Sequence, residues 1–186
     1  MRRLRVFESI SIDGYFCDAH GDMQWAHAGA DDPEFISWVG GNASGGGELL
    51  FGRVTYDHMR AWWTTLQAAA AMPVVAKGMN AATKWVASRS LQGAGGLDWS
   101  GARLLDGDAV AAVRALKQSG GPGITLLGSG SLAAQLGAAG LVDEYQLVIV
   151  PVALGGGRTI FSGERKLALQ HSRTFKNGRV VVTYAA

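Results

Sequence analysis

Residues 128–132 read Gly128-Ser129-Gly130-Ser131-Leu132 and directly follow the apolar stretch Ile124-Thr125-Leu126-Leu127. A strand that enters a helix through such a turn leaves backbone N–H groups unpaired at the helix start, with the positive end of the helix dipole behind them. Glycine lets an anion such as a pyrophosphate come close to those groups. The same residues also suit a plain tight turn in which Ser129 or Ser131 caps the helix. With Ala133 in the last place the segment matches G-x-G-x-x-A. That fingerprint, however, expects a first βα turn and an acidic residue closing the next strand, whereas Asp143 and Glu144 precede theirs and the loop lies late in the chain.

Among the carboxylates, Asp13 stands in a Ser-x-Asp-Gly turn at the end of a first strand, at the edge where ligands of α/β sheets gather. An Asp-Gly pair serves equally well as a turn with no chemistry. Asp32 precedes Pro33-Glu34 and suits a helix N-cap, with proline at the first helical position. His20, His27, His58 and His171 show no close metal-ligand spacing, and the single Cys17 can form neither a thiolate cluster nor an internal disulfide. No metal site is expected. A serine hydrolase is disfavoured because no G-x-S-x-G elbow occurs.

The elements that must hold these residues can be read from pattern. The chain has 186 residues, of which 48% are hydrophobic and 17% charged, enough for one packed domain over residues 1–186. Its 27 glycines gather mostly at junctions, in residues 40–47, 93–96, 120–123 and 155–157. Strands are expected at residues 4–12, 48–51, 84–88, 103–105, 124–127 and 145–150. Helices are expected after Asp32, after Gly52, over residues 108–118 and after the Gly128 loop. Strand–helix alternation argues for a largely parallel sheet. Residues 174–175 and 180–184 flank Asn177-Gly178, a hairpin signal, so the sheet should end antiparallel.

The net charge of +2 is spread over 17 basic and 15 acidic residues without a run, so no nucleic-acid partner is expected. No stretch approaches the roughly 20 apolar residues of a membrane span, and the basic start is interrupted before any signal-type segment forms. One cysteine suits a reducing cytoplasm, the expected location.

Several segments, taken in order, make the chain resemble the dihydrofolate-reductase-like superfamily, most closely the reductase domain of bacterial riboflavin biosynthesis and its stand-alone relatives. They are Ser11-Ile12-Asp13-Gly14-Tyr15, Leu50-Phe51-Gly52-Arg53-Val54-Thr55-Tyr56, Val86-Ala87-Ser88-Arg89, the Gly128 loop, Leu141-Val142-Asp143-Glu144 and Pro151-Val152-Ala153-Leu154-Gly155-Gly156-Gly157. The resemblance implies an α/β fold with a central, mostly parallel sheet flanked by helices and an antiparallel C-terminal hairpin. It implies an NADPH-dependent reductase of a small heterocyclic or conjugated substrate. Gly52, Arg53, Val54 and Thr55 would then grip cofactor phosphates together with the Gly128 loop, both segments following a strand and opening a helix.

Ser88 and Arg89 would take the adenosine 2'-phosphate, favouring NADPH over NADH. Asp13, or Asp32 as an acid on the first helix, would handle the proton, and Gly14, Trp25 and Tyr56 would meet the substrate. Relatives also suggest a homodimer through residues 145–157. A binding module without turnover is an alternative of the same fold. Reduction of 5-amino-6-(5-phosphoribosylamino)uracil is a further alternative, with no clear basic cluster for its ribose phosphate and no preceding deaminase domain.

Overall fold

The computed structural model describes residues 1–29, 31–43, 46–91 and 97–186. In chain order the first half forms β1 (Leu4–Ser11), β2 (Tyr15–Cys17), α1 (Pro33–Ala43), β3 (Glu48–Gly52), α2 (Arg53–Trp63), α3 (Leu66–Ala71), α4 (Pro73–Ala81) and β4 (Lys84–Ala87). The second half forms β5 (Ala102–Leu105), α5 (Ala109–Gln118), β6 (Ile124–Leu127), α6 (Gly130–Ala138), β7 (Glu144–Val150), β8 (Arg158–Thr159), β9 (Ala168–Thr174) and β10 (Val180–Ala185). The glycine junction expected at residues 93–96 lies outside the described residues, as does part of the one at 40–47.

Eight strands make one sheet in the order β5-β4-β3-β6-β1-β7-β10-β9, and β2 pairs with β8 in a separate small ribbon. The six strands from β5 to β7 run parallel, β10 is antiparallel to β7, and β9 is antiparallel to β10. The expected hairpin is present: Gly178 adopts φ +81°, and its N–H donates to the Phe175 carbonyl at 3.0 Å. Glycine tolerates that left-handed turn, which explains the Asn177-Gly178 signal.

Side-chain parity on β1 divides the core. Leu4, Val6 and Ile10 join a cluster with Val113, Leu132 and Leu136 of α5 and α6. Phe7 points the other way and packs with Phe35 and Trp38 of α1, together with Val148 and Phe175. A third cluster, Phe51, Tyr56, Val75, Met79 and Trp99, seats α2 and α4. Full burial of each such side chain contributes roughly 1.5–3 kcal/mol, which fixes the helices on both faces and leaves the turns between them to make the site.

The apolar run of β7 is accounted for inside the sheet. β7 lies between β1 and β10, so its hydrophobicity fills the protein's own core and is not by itself a sign of a dimer contact.

Candidate active site

Gly52 pairs with Ala87 at the ends of β3 and β4, and Leu127 at the end of β6 pairs with Phe7 of β1. The turns after β3, β4 and β6 therefore open side by side along one edge of the sheet, as expected where strands of an α/β fold carry a ligand. Two of them are bonded together. The Gly52 N–H donates to the Ser129 hydroxyl at 3.0 Å, and the Thr55 hydroxyl donates to the Gly128 carbonyl at 2.8 Å. Ser129 donates onward to the Leu127 carbonyl at 3.3 Å. Its hydroxyl is thus committed to the neighbouring loop, and α6 begins without a side-chain cap. A cleft of about 2180 Å³ runs along this edge, and residues 52–55, 88–89 and 128–132 all line it.

The two glycines of the loop have different reasons. Gly128 adopts φ +60°, a backbone state that side chains resist. Gly130 is required by packing, because a Cβ there would lie 2.4 Å from the Phe16 ring. A ligand is therefore not the reason for glycine at position 130. Above Phe16 lies Arg158, its guanidinium carbon 5.3 Å from the ring centroid and its Nε donating to Cys17 Sγ at 3.1 Å.

Unpaired charge in the cleft wall is mainly cationic. Arg89 has no hydrogen-bond or ion-pair partner among the described residues, and Arg158 has no carboxylate partner among them. Arg53 shares one edge of its guanidinium with Asp57, Nε to Oδ2 at 2.6 Å. The carboxylates of the wall are mostly occupied. Glu48 pairs with Arg2 and accepts from the Trp85 indole, while Asp108 caps α5 through the Ala111 N–H at 2.9 Å. Desolvation would raise the Glu48 pKa, but Trp85 and Arg2 outweigh it and hold the group below its ordinary value. An anionic ligand suits this wall.

The residues expected to meet substrate or move a proton are placed elsewhere. Asp13 accepts from the Ser11 hydroxyl at 2.5 Å and from the Gly155 N–H at 2.8 Å, with Leu154 also donating to it. These bonds, that from Ser11 foremost, lower its pKa, so it is a tie between the first turn and the glycine segment before β8. Asp32 accepts from the Glu34 N–H at 2.8 Å as the cap of α1, and its other oxygen accepts from Asn177 at 3.1 Å. Partial burial would raise its pKa, but the N–H groups of Phe35, Glu34, Asn177 and Lys176 together hold it down.

Tyr56 is fully buried and its hydroxyl accepts from the Trp99 N–H at 3.0 Å, so it has no surface for a substrate. Trp25 packs against the Val148–Phe175 cluster and donates to the Asp22 carbonyl at 3.1 Å. Gly14 adopts φ +89° in its turn. None of these five is in the cleft wall.

Among the wall residues not singled out from the sequence, three stand out by burial or charge. Arg179 is fully buried and donates to the carbonyls of Ala26, Ala28 and Gly29, pinning the turn that carries His27 to the C-terminal hairpin. Arg158 is the second. Glu8 is the third: it lies on β1 with 2% of its surface exposed, and burial pushes its carboxyl up to about 8 against a weak opposing bond from the Ser9 N–H. A signal for it exists, since Glu8 interrupts the otherwise apolar Leu4, Val6, Ile10 face of the strand.

The RibD C-terminal domain model matches residues 2–181. The chain belongs to the RibD C-terminal domain family. Bacillus subtilis YyaP, named as an uncharacterized protein, is 26% identical over 98% of this chain and 94% of its own. A crystal structure from Shewanella sp. PV-4, of a protein whose name provisionally assigns it to riboflavin biosynthesis, aligns with TM-score 0.68 at 20% identity over 98% of each chain. A pyrimidine reductase-like protein of Corynebacterium diphtheriae aligns with TM-score 0.61 at 14% identity over 99% of this chain and 91% of its own. At such identities the two structures establish the shared fold, a mostly parallel sheet ending in an antiparallel hairpin. Membership of the RibD C-terminal domain family supports a reductase-type activity.

Proposed function

We propose that this chain is an NADPH-dependent reductase of a small heterocyclic or conjugated substrate. The observation that carries the reading is the pair of strand-to-helix turns after β3 and β6, bonded to each other through Gly52 and Ser129, on a cleft where Arg89 and Arg158 have no carboxylate partner among the described residues. NADPH, when bound, supplies the hydride. The donor set suits such a dinucleotide: an α6 start with no side-chain cap and the half-engaged Arg53 for the pyrophosphate, and Arg89, without a partner among the described residues, beside Ser88 for the 2'-phosphate. The chain's task is then to orient the two reactants and exclude water from between them.

Titrating the purified protein with NADPH and NADH, followed through its tryptophan fluorescence, tests the reading. NADPH should bind about tenfold or more tightly than NADH, the worth of one charge-assisted contact to phosphate. Binding of neither nucleotide sinks the proposal. A panel of pterins, pyrimidines, flavins and quinones, scored by oxidation of the reduced nicotinamide, then separates an enzyme from a binding module.

A further inference from the structure

Reduction of a polarised double bond needs a proton as well as a hydride, and both carboxylates expected to supply it are tied down outside the cleft. Glu8 differs from both. It lies in the cleft wall, one residue beyond Phe7, whose carbonyl accepts the Gly128 N–H at 3.1 Å, so β1 brings it past the point where the glycine loop leaves β6. Parity sets its side chain on the face of Val6 and Ile10, with Leu147 opposite on β7.

Oε1 accepts from the Ser9 N–H at 3.2 Å, whereas Oε2 is buried and has no hydrogen-bond partner among the described residues. No ion pair reaches Glu8 among them. The elements packed on this face bring little unpaired charge: α6 contains no ionisable side chain, α5 brings the buried Lys117 already paired with Asp143, β7 brings Tyr145, and the small ribbon brings Cys17 and Arg158, the latter held over Phe16. A buried carboxyl without a cation is held as the neutral acid, and an O–H with no acceptor in its own protein is free to donate to a ligand.

Resting on the reductase reading, we propose that Glu8 is the acid of this site, holding a proton on its carboxyl and delivering it to the substrate. As the hydride and its electron pair arrive at carbon from the reduced nicotinamide, the Glu8 O–H bond breaks. The proton then bonds to the substrate atom at the other end of the double bond, a ring nitrogen or a carbonyl oxygen. Glu8 is left as a carboxylate and is reprotonated from solvent, which balances the step. The buried setting favours this role, because a proton held at neutral pH is available where an ordinary carboxyl would already have lost it.

Infrared difference spectra of the full-length protein against Glu8→Gln test the assignment apart from turnover. At pH 7 the wild type should show a neutral carboxylic-acid band that E8Q lacks, and the band should shift when a pterin or flavin binds together with NADP. With a panel substrate, E8Q should lose about 10²- to 10⁴-fold in kcat, the usual worth of general acid catalysis. Its NADPH affinity should stay within about twofold of wild type, since Gln fills the same space without charge. The fall in kcat above pH about 8 should vanish in E8Q. Absence of the acid band, a band unmoved by ligand, or unchanged kcat and pH profile in E8Q overturns the proposal. Failure to bind NADPH is a separate result that defeats the reductase reading itself.

Discussion

The backbone N–H of Gly52 and the hydroxyl of Ser129 meet at 3.0 Å although the residues are 77 apart in sequence. One bond thereby locks two ligand loops into a single surface. Ser129→Ala removes the acceptor and leaves a part-buried N–H unsatisfied, a loss of about 1–2 kcal/mol. The expected result is a lower urea midpoint together with NADPH affinity reduced about fivefold or more, because the loops would no longer be held in register. Unchanged affinity would show that the two turns do not act as one grip.

Gly130→Ala should be costly for a reason unrelated to ligand. The added methyl would lie 2.4 Å from the Phe16 ring, so either α6 or the β2–β8 ribbon must move. Overpacking of this kind costs about 1–3 kcal/mol. Phe16→Leu in the same chain should restore much of the loss in thermal midpoint. A double variant no more stable than G130A would contradict the assigned contact.

Arg89→Gln tests cofactor choice without disturbing the fold. Arg89 is exposed and has no partner among the described residues, so stability should change by less than about 0.5 kcal/mol. NADPH affinity should fall about tenfold while NADH affinity stays constant, the loss of one charged contact to a 2'-phosphate. Equal losses for both nucleotides would assign Arg89 to the shared part of the molecule instead.

Much of this site was legible because its physics is local. A strand, a glycine turn and a helix start are all written within a few residues, so residues 52–55 and 128–132 are legible in the sequence, and they line the cleft. What failed was long-range. Asp13 is tied by the distant backbone of Leu154 and Gly155, which its Ser-x-Asp-Gly turn does not announce, whereas Asp32 is the N-cap its sequence suggests, with the hairpin turn at Asn177 as a further, unannounced partner. Tyr56 was misplaced because an aromatic on a helix after a ligand turn reads the same whether it faces the core or the cleft. Helices α3 and α4 went unread, since the alanine-rich Leu66–Ala71 carries no apolar stripe, although Thr65 and Pro73 are ordinary start signals. The ribbon of β2 and β8 is too short to show a period.

Glu8 also makes stability depend on pH in a direction opposite to that of a salt-bridged carboxylate. Its pKa is raised from 4.5 to about 8 in the folded chain by burial, so the folded state holds the proton over a range in which the unfolded state has lost it. The stability tied to that proton is fully present below about 4.5 and is lost as pH climbs to about 8, because over that range the unfolded chain releases the Glu8 proton to water while the buried group must keep it. The slope this single group can contribute is at most about 1.4 kcal/mol per pH unit. Glu8→Gln, neutral throughout, removes that slope. Urea denaturation of both proteins from about pH 5 to pH 8 should therefore give curves that separate as pH rises, with E8Q the more stable at the alkaline end. Curves that run parallel would mean that Glu8 ionises at its ordinary value in the folded chain, and that the wall of the cleft supplies it with charge or water.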